Sequence, residues 1–241
     1  MKKCLFLLLL TPLFIKTSAQ NDNMTYDPNK ALMVTIGAGA GYNDYKHLNN
    51  RLDDAGILTV GKFSISNMLE ADMRMKKLLI GLGSNMNLSA KKNDDYKTWL
   101  MSFYGGAHVG YYVANSKNFH FAPQVGIGAY GSFVKITERN GHDNFNELIT
   151  DGNSTTISQY TPALDFALRF DFADFSKSKT GVAGLRLGYK LGLSDRGWGD
   201  DAGTSVVDGS PKDRIGQFYA MATIGLTALK PNNWKGMKHM H

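Results

Sequence analysis

Residues 180–193, TGVAGLRLGYKLGL, constrain this chain more tightly than any other stretch. Odd positions Ala183, Leu185, Leu187, Tyr189, Leu191 and Leu193 are apolar, whereas even positions Gly184, Arg186, Gly188, Lys190 and Gly192 are charged or bare. A period of two sends alternate side chains to opposite faces, so the stretch is a β-strand between two unlike environments.

The same alternation predicts eight strands, over residues 31–42, 58–73, 77–89, 98–113, 119–136, 160–172, 180–193 and 216–228. Residues 160–172 alternate most cleanly, with Leu164, Phe166, Leu168, Phe170 and Phe172 opposed to Asp165, Arg169 and Asp171. In the second strand Asn67 falls among Phe63, Ile65, Leu69, Ala71 and Met73, which predicts a bulge or a shifted register at that point. Long connections follow the first, third, fifth and seventh strands, the second of them (90–97) being the shortest of the four, and short turns follow the others. An even strand count with long loops at one end and short turns at the other is the plan of a barrel that crosses a membrane. Residues 43–56 leave the period of two. Tyr45, Leu48, Leu52 and Ala55 recur at helical spacing, with Asp44 placed to cap the start and Gly56 the end. This helix is read either as ordinary loop packing or as a lid over the barrel mouth or a rest on the membrane surface.

Alternation alone does not say which face points inward. An eight-stranded barrel holds only a filled core or one small ligand, and four or five large apolar residues per strand would send more than about thirty into it. They do not fit, so the apolar face is outside, against lipid. Glycine, 26 of 241 residues, then lies mostly inside: Gly37, Gly81, Gly106, Gly126, Gly128, Gly184 and Gly188 make room for Tyr104, Tyr130, Tyr219 and Arg186. Trp99 and Phe103 at one end and Tyr111, Phe121 and Phe172 at the other are placed as interfacial girdles. The fold class expected is all-β: an eight-stranded antiparallel up-and-down transmembrane barrel with short periplasmic turns and long extracellular loops.

The N-terminus sets the compartment. Lys2 and Lys3, an apolar run over 5–15 and the small residues Thr17, Ser18 and Ala19 read as a cleaved secretory signal over 1–19. Residues 20–30 follow as a periplasmic lead, 31–229 as the barrel and 230–241 as a flexible periplasmic tail. Cys4, the one cysteine, precedes the apolar run, so the processed chain carries no thiol or cysteine metal site. Losing Lys2, Lys3 and Lys16 lowers the net charge of +6 by three, which leaves no strong attraction to nucleic acid. After the signal no run of about 18 apolar residues occurs, so no helical span is expected.

The stretches LNNRLDDAGI (48–57), PQVGIGAYG (123–131), GLRLGYKLGLSDRGW (184–198) and FYAMATIGL (218–226) resemble the small outer-membrane β-barrels of Gram-negative bacteria, the porin-like barrels. The resemblance implies insertion into the outer membrane by the barrel-assembly machinery, in contact with outer-membrane lipid and lipopolysaccharide, and often no chemistry. It departs from the family pattern at the C-terminus. Such barrels usually end on an aromatic residue of the last strand, whereas here KPNNWKGMKHMH follows Leu229.

The lumen is expected to hold Lys62, Glu70, Asp72, Arg74, His108, Asp165, Arg169, Asp171, Arg186 and Lys190 as a structural network, with Asp165 and Asp171 near Lys190 and Arg186. Ser102 and His108 stand roughly 20 Å apart along one strand and so form no nucleophile and base pair. His142 and Asp143, the acids Asp200, Asp201, Asp208 and Asp213, and the tail residues His239 and His241 are weak candidates for catalysis or metal binding; solvent exposure explains them as well. Neither a cofactor nor a catalytic site is expected. Lys46, Arg51, Lys91, Lys92, Lys97, Arg139, Arg196, Lys212 and Arg214 ring the outer rim, a set suited to lipopolysaccharide phosphates or simply to water. The expected role is structural, adhesive or surface-binding through the loops. The alternatives are a passive channel for a small or apolar solute and a membrane-embedded lipid-modifying enzyme.

Overall fold

The computed structural model describes residues 26–139, 154–177, 179–200 and 209–231, with side chains from 30 to 228. Eight long strands carry the fold: β1 (Tyr26–Asn43), β2 (Phe63–Met75), β3 (Leu78–Lys92), β4 (Tyr96–Tyr111), β5 (His120–Glu138), β6 (Ser154–Phe172), β7 (Lys179–Gly192) and β8 (Gly216–Pro231). Each pairs antiparallel with its neighbour in sequence, and β8 returns to β1 through partners such as Ile36↔Ile224. The ladder therefore closes and leaves no long strand edge, which is what the hydrocarbon of a membrane demands of backbone groups.

The faces follow the alternation. Leu32, Val34, Ile65, Leu82, Ile127, Phe166, Leu187, Ile224 and Leu226 are exposed, while Thr35, Glu70, Asp72, Arg169, Asp171 and Arg186 are buried in the interior. Such an inversion is unfavourable in water, where it would expose a continuous apolar belt, and favourable in lipid. At the belt's edges Phe103, Phe133 and Tyr160 cluster at one end, and Phe119 with Phe172 and Phe121 with Phe170 pair at the other.

Three expectations need correction. The bulge at Asn67 is absent: β1 and β2 pair without a break from Lys30↔Met75 to Tyr42↔Phe63, and Asn67 points outward and exposed. Burial of Ser66 and Met68 on either side fixes the register, since a one-residue slip would turn that whole face outward. The connection expected over 90–97 is a tight turn at 93–95, because β3 and β4 stay paired out to Lys92↔Lys97. The polar loop expected over 137–159 is shorter too, with β5 and β6 paired as far as Thr137↔Ser154 by the β-branched residues around Thr155 and Thr156.

One helix, α1 (Lys46–Asp54), follows β1. Gly56, at φ +70°, turns the chain after it, a conformation that a side chain disfavours. The start is capped from outside the helix and not by Asp44. The carboxylate of Asp213, 165 residues further along the chain, accepts hydrogen bonds from the His47 and Leu48 amides at 2.9 and 3.0 Å.

Candidate functional site

The interior is built in layers, each set by which inward positions the strands bring to the same height. At the loop end Tyr45, Leu48 and Leu52 of the α1 segment pack down onto Leu100, Val134, Trp198 and Ile215. Asp213 ties this plug together, because its Oδ2 also accepts from Trp198 Nε1 at 3.1 Å. The Tyr45 hydroxyl meets Ser132 Oγ at 2.8 Å, and burial raises the phenol's pKa above its ordinary value. Below the plug, Tyr130 donates to Ser102 Oγ at 2.9 Å, and Ser66 donates to Asn87.

The middle layer holds Tyr104, Asp165, Lys190 and Tyr219. Asp165 and Lys190 are partners in the strand register. The Tyr219 hydroxyl donates to the Asp165 carboxylate at 3.0 Å, and the Lys190 ammonium lies over the Tyr219 ring, 3.6 Å from its centre. Close approach explains Gly188, since a Cβ there would overlap the ring and hydroxyl of Tyr219. The cavity beside this layer is about 20 Å³, room for little more than one water.

The next layer is an ion-pair network. Arg169 Nε donates to Asp171 Oδ2 at 2.6 Å and Nη1 to Asp72 Oδ2 at 2.5 Å, with Glu70 Oε2 at 3.5 Å. Arg186 joins the same acids, Nη1 to Asp171 Oδ1 at 3.0 Å and Nε to Glu70 Oε2 at 3.4 Å. His108 Nε2 lies 2.7 Å from Asp72 Oδ1, and Tyr112 donates to Asp171 Oδ2 at 2.7 Å. Two guanidiniums thus face three carboxylates, joined by the imidazole and phenol, while Arg186 Nη2 is buried without a hydrogen-bond partner among the described residues. The arrangement satisfies charges that would otherwise be prohibitively costly to bury. A Cβ at Gly81 would collide with Asp72, so the bare position makes space for the network.

At the turn end Phe175, Tyr112, Leu79, Met33 and Val182 form a second apolar plug. Arg74 belongs here and not with the acids. Its Nε donates to the Lys76 carbonyl at 2.9 Å and its guanidinium lies 4.4 Å from the Phe175 ring centre. Outside the span, the Ser176 amide and hydroxyl donate to Asp174 Oδ1 and lower its pKa.

The structure brings together Glu70, Asp72, His108, Arg169, Asp171 and Arg186, and sets Asp165 with Lys190 one layer above. Lys62 is not in the lumen: it is exposed in the bend before β2, where the alternation has not yet begun. Ser102 and His108 sit in different layers, each bonded to another partner. Asp213 is engaged as a cap; Asp201, Asp208, His142, Asp143, His239 and His241 lie outside the described residues, as does the expected signal over 1–19. Among the described residues no cluster of three or more His, Cys, Asp or Glu has the geometry of a metal site.

Of the rim cations, Lys46, Arg51, Lys91, Lys92, Arg139, Arg196, Lys212 and Arg214 are exposed and Lys97 is half-buried. They are not one site. Lys91 donates to Thr59 at 3.0 Å and Arg214 pairs with Asp195 at 2.9 Å, while Arg196 and Lys212 lie on a short ribbon, residues 196–197 paired with 212–213. A tighter group faces outward on three adjacent strands. Lys92 is the register partner of Lys97, Trp99 is the partner of Lys135, and the Lys97 ammonium lies 4.8 Å from the Trp99 ring centre. Lys135 was legible in the sequence as an odd position of the fifth strand, in phase with Val125 and Ile127.

A closed eight-stranded antiparallel barrel with an apolar outside, a charged filled inside and plugs at both ends defines the class: the chain has the fold of the small outer-membrane β-barrels. Solved structures of that kind match it over most of its length. The attachment invasion locus protein Ail of Yersinia pestis aligns over 83% of this chain and 99% of its own at 9% identity and TM-score 0.47. A major outer membrane protein of Thermus thermophilus covers the same shares at 14% identity and TM-score 0.45. Neisserial surface protein A aligns over 82% of this chain and 97% of its own at 13% identity and TM-score 0.42. At these values the fold assignment rests on the closed ladder of this chain itself. No protein-family model and no curated protein matches the sequence.

Proposed function

We propose that this chain is an outer-membrane barrel of a Gram-negative bacterium, exported by a cleaved signal and inserted by the barrel-assembly machinery, whose work is structural or surface-binding through its loop end. The observation that carries this reading is closure of the lumen at three successive levels. An apolar plug around Tyr45 and Trp198, the ion-pair layer around Arg169 and an apolar plug around Phe175 lie across the lumen, and the cavity beside Asp165 and Lys190, among the described residues, is about 20 Å³. A passive channel needs a continuous wet path, which this stack interrupts. The residues that would serve a lipid-modifying centre are held in the network, so that reading gains no observation in its favour.

For the partner, the rim supports anionic lipid headgroups, lipopolysaccharide phosphates above all, with Lys92, Lys97 and Lys135 around Trp99 as the strongest contact. Like charges set side by side on neighbouring strands repel unless an anion lies between them. Reconstitution into planar bilayers tests the main reading: the expected record is flat, and a steady, ion-selective conductance would restore the channel alternative. Thermal unfolding with added lipopolysaccharide tests the partner, with stabilisation expected for the wild type and a smaller shift for Lys92→Gln/Lys97→Gln/Lys135→Gln.

A further inference from the structure

Asn67 keeps its outward position in an unbroken register, and this is costly. It sits near the middle of β2, between exposed Ile65 and Leu69, where the surrounding wall meets hydrocarbon. Its backbone carbonyl accepts from Asn85 Nδ2 at 2.6 Å, but among the described residues no hydrogen bond of its side-chain amide is seen. The adjacent strand adds one more polar group at the same depth. Ser84 is exposed and outward-facing, the register partner of Leu69, which makes it a diagonal neighbour of Asn67 at roughly 7–8 Å. The other described outward positions in the middle of the belt are apolar or glycine. An amide in hydrocarbon without partners costs several kcal/mol, so a lipid-facing Asn beside a lipid-facing Ser calls for a partner in the plane of the membrane.

The wall around them is shaped for close approach. Ala38 is Asn67's partner on β1, and Gly105 is Ser84's partner on β4, where nothing lies within 4 Å of a built Cβ. Leu82, at 66% exposed, and Ile65, at 76%, stand out beside these low points. Small residues that let backbones approach, with polar side chains as the adhesive, are what associates spans within a membrane, where the hydrophobic effect between them is absent.

We propose that this face, β2 to β4 around Asn67 and Ser84, is where a second copy of this chain docks side by side in the membrane. A second copy is favoured because a carboxamide complements itself: it carries donor and acceptor together, so a two-fold axis beside Asn67 satisfies both amides, or each amide with the other copy's serine, by one operation. Strand spacing and rise give the wall of three strands roughly 14 by 33 Å, the size of a concentration-dependent contact and not of an obligate one.

The proposal rests on the membrane reading, so insertion is checked first by heat-shifted gel mobility of each reconstituted variant. With Cys4 replaced by Ser, Asn67→Cys is expected to form disulfide-linked dimers in phospholipid vesicles, whereas Leu168→Cys, on the far wall, forms none at the same protein-to-lipid ratio. In resonance energy transfer between labelled copies, Asn67→Leu should raise the protein-to-lipid ratio for half-association about tenfold, as loss of membrane hydrogen bonds implies, and should fold normally. Equal cross-linking at positions 67 and 168, or association unchanged in Asn67→Leu/Ser84→Ala, would overturn the proposal, as would an inserted wild type that stays monomeric at every ratio.

Discussion

Arg169→Met probes the network where its geometry makes the sharpest demand. The guanidinium is fully buried and holds Asp171 at 2.6 Å and Asp72 at 2.5 Å. After the substitution the acids do not suffer equally. Asp171 keeps Arg186 and the Tyr112 hydroxyl, and Glu70 keeps Arg186 at 3.4 Å and the Thr35 hydroxyl at 3.5 Å. Among the described residues Asp72 retains only His108, on its other oxygen. Removing one partner of a buried pair costs about 3–5 kcal/mol, and because Arg186 still serves two of the three acids the lower half of that range is expected. That is roughly a hundredfold to a thousandfold in the folding equilibrium at about 1.4 kcal/mol per decade. Met approximates the length of the stem, so packing is largely kept and the change reports charge. Equilibrium unfolding in urea from phospholipid vesicles, followed by gel mobility without boiling, measures it. Adding Asp72→Asn should recover about 1–2 kcal/mol by removing the stranded charge, whereas Glu70→Gln should recover less. The reasoning would be refuted by an Arg169→Met midpoint within about 0.5 kcal/mol of wild type, or by recovery as large from Glu70→Gln as from Asp72→Asn.

Two further outcomes follow from the plug and from the crowded lumen. Asp213→Ala removes the acceptor for two helix amides and for the Trp198 indole. It should cost about 1–2 kcal/mol locally and speed hydrogen exchange in α1 about tenfold or more, with the transmembrane strands unaffected; uniform loss of protection would show instead that α1 and the barrel open together. Gly188→Val should destabilise by about 1–3 kcal/mol through overlap with Tyr219, and Tyr219→Ala in the same chain should recover part of it. Full tolerance of Gly188→Val by itself would mean that the lumen is looser than its packing indicates.

How far the architecture was legible depends on range. Ala183 to Leu193 state two faces through adjacent residues, and the volume of the apolar set states which is outside. Both arguments need only side-chain size and the period of a strand. The lumen charges were legible as a group for the same reason, but their pairing was not. Lys62 entered the expected set because its parity matches Ser64, and only the chain's bend before Phe63 shows that parity has no meaning there. Arg74 has the right parity as well, but it stands one residue before the end of β2, where the Lys76 carbonyl and the Phe175 ring hold its guanidinium at the turn end. Asn67 was legible as an anomaly and read as a bulge or a shifted register, because a local pattern cannot tell a broken register from an intact one that carries a polar side chain.

By itself the sequence determined the class: strands of period two, bare inward positions where bulk would collide, and an apolar outside that water does not tolerate. Tertiary structure alone decided which groups meet across the lumen. Asp213 reaches α1 across 165 residues of chain, and Arg169 meets Asp72 from strands on opposite sides of the lumen. Neither contact leaves a signature in spacing, because the distance that matters runs across the barrel and not along the strand.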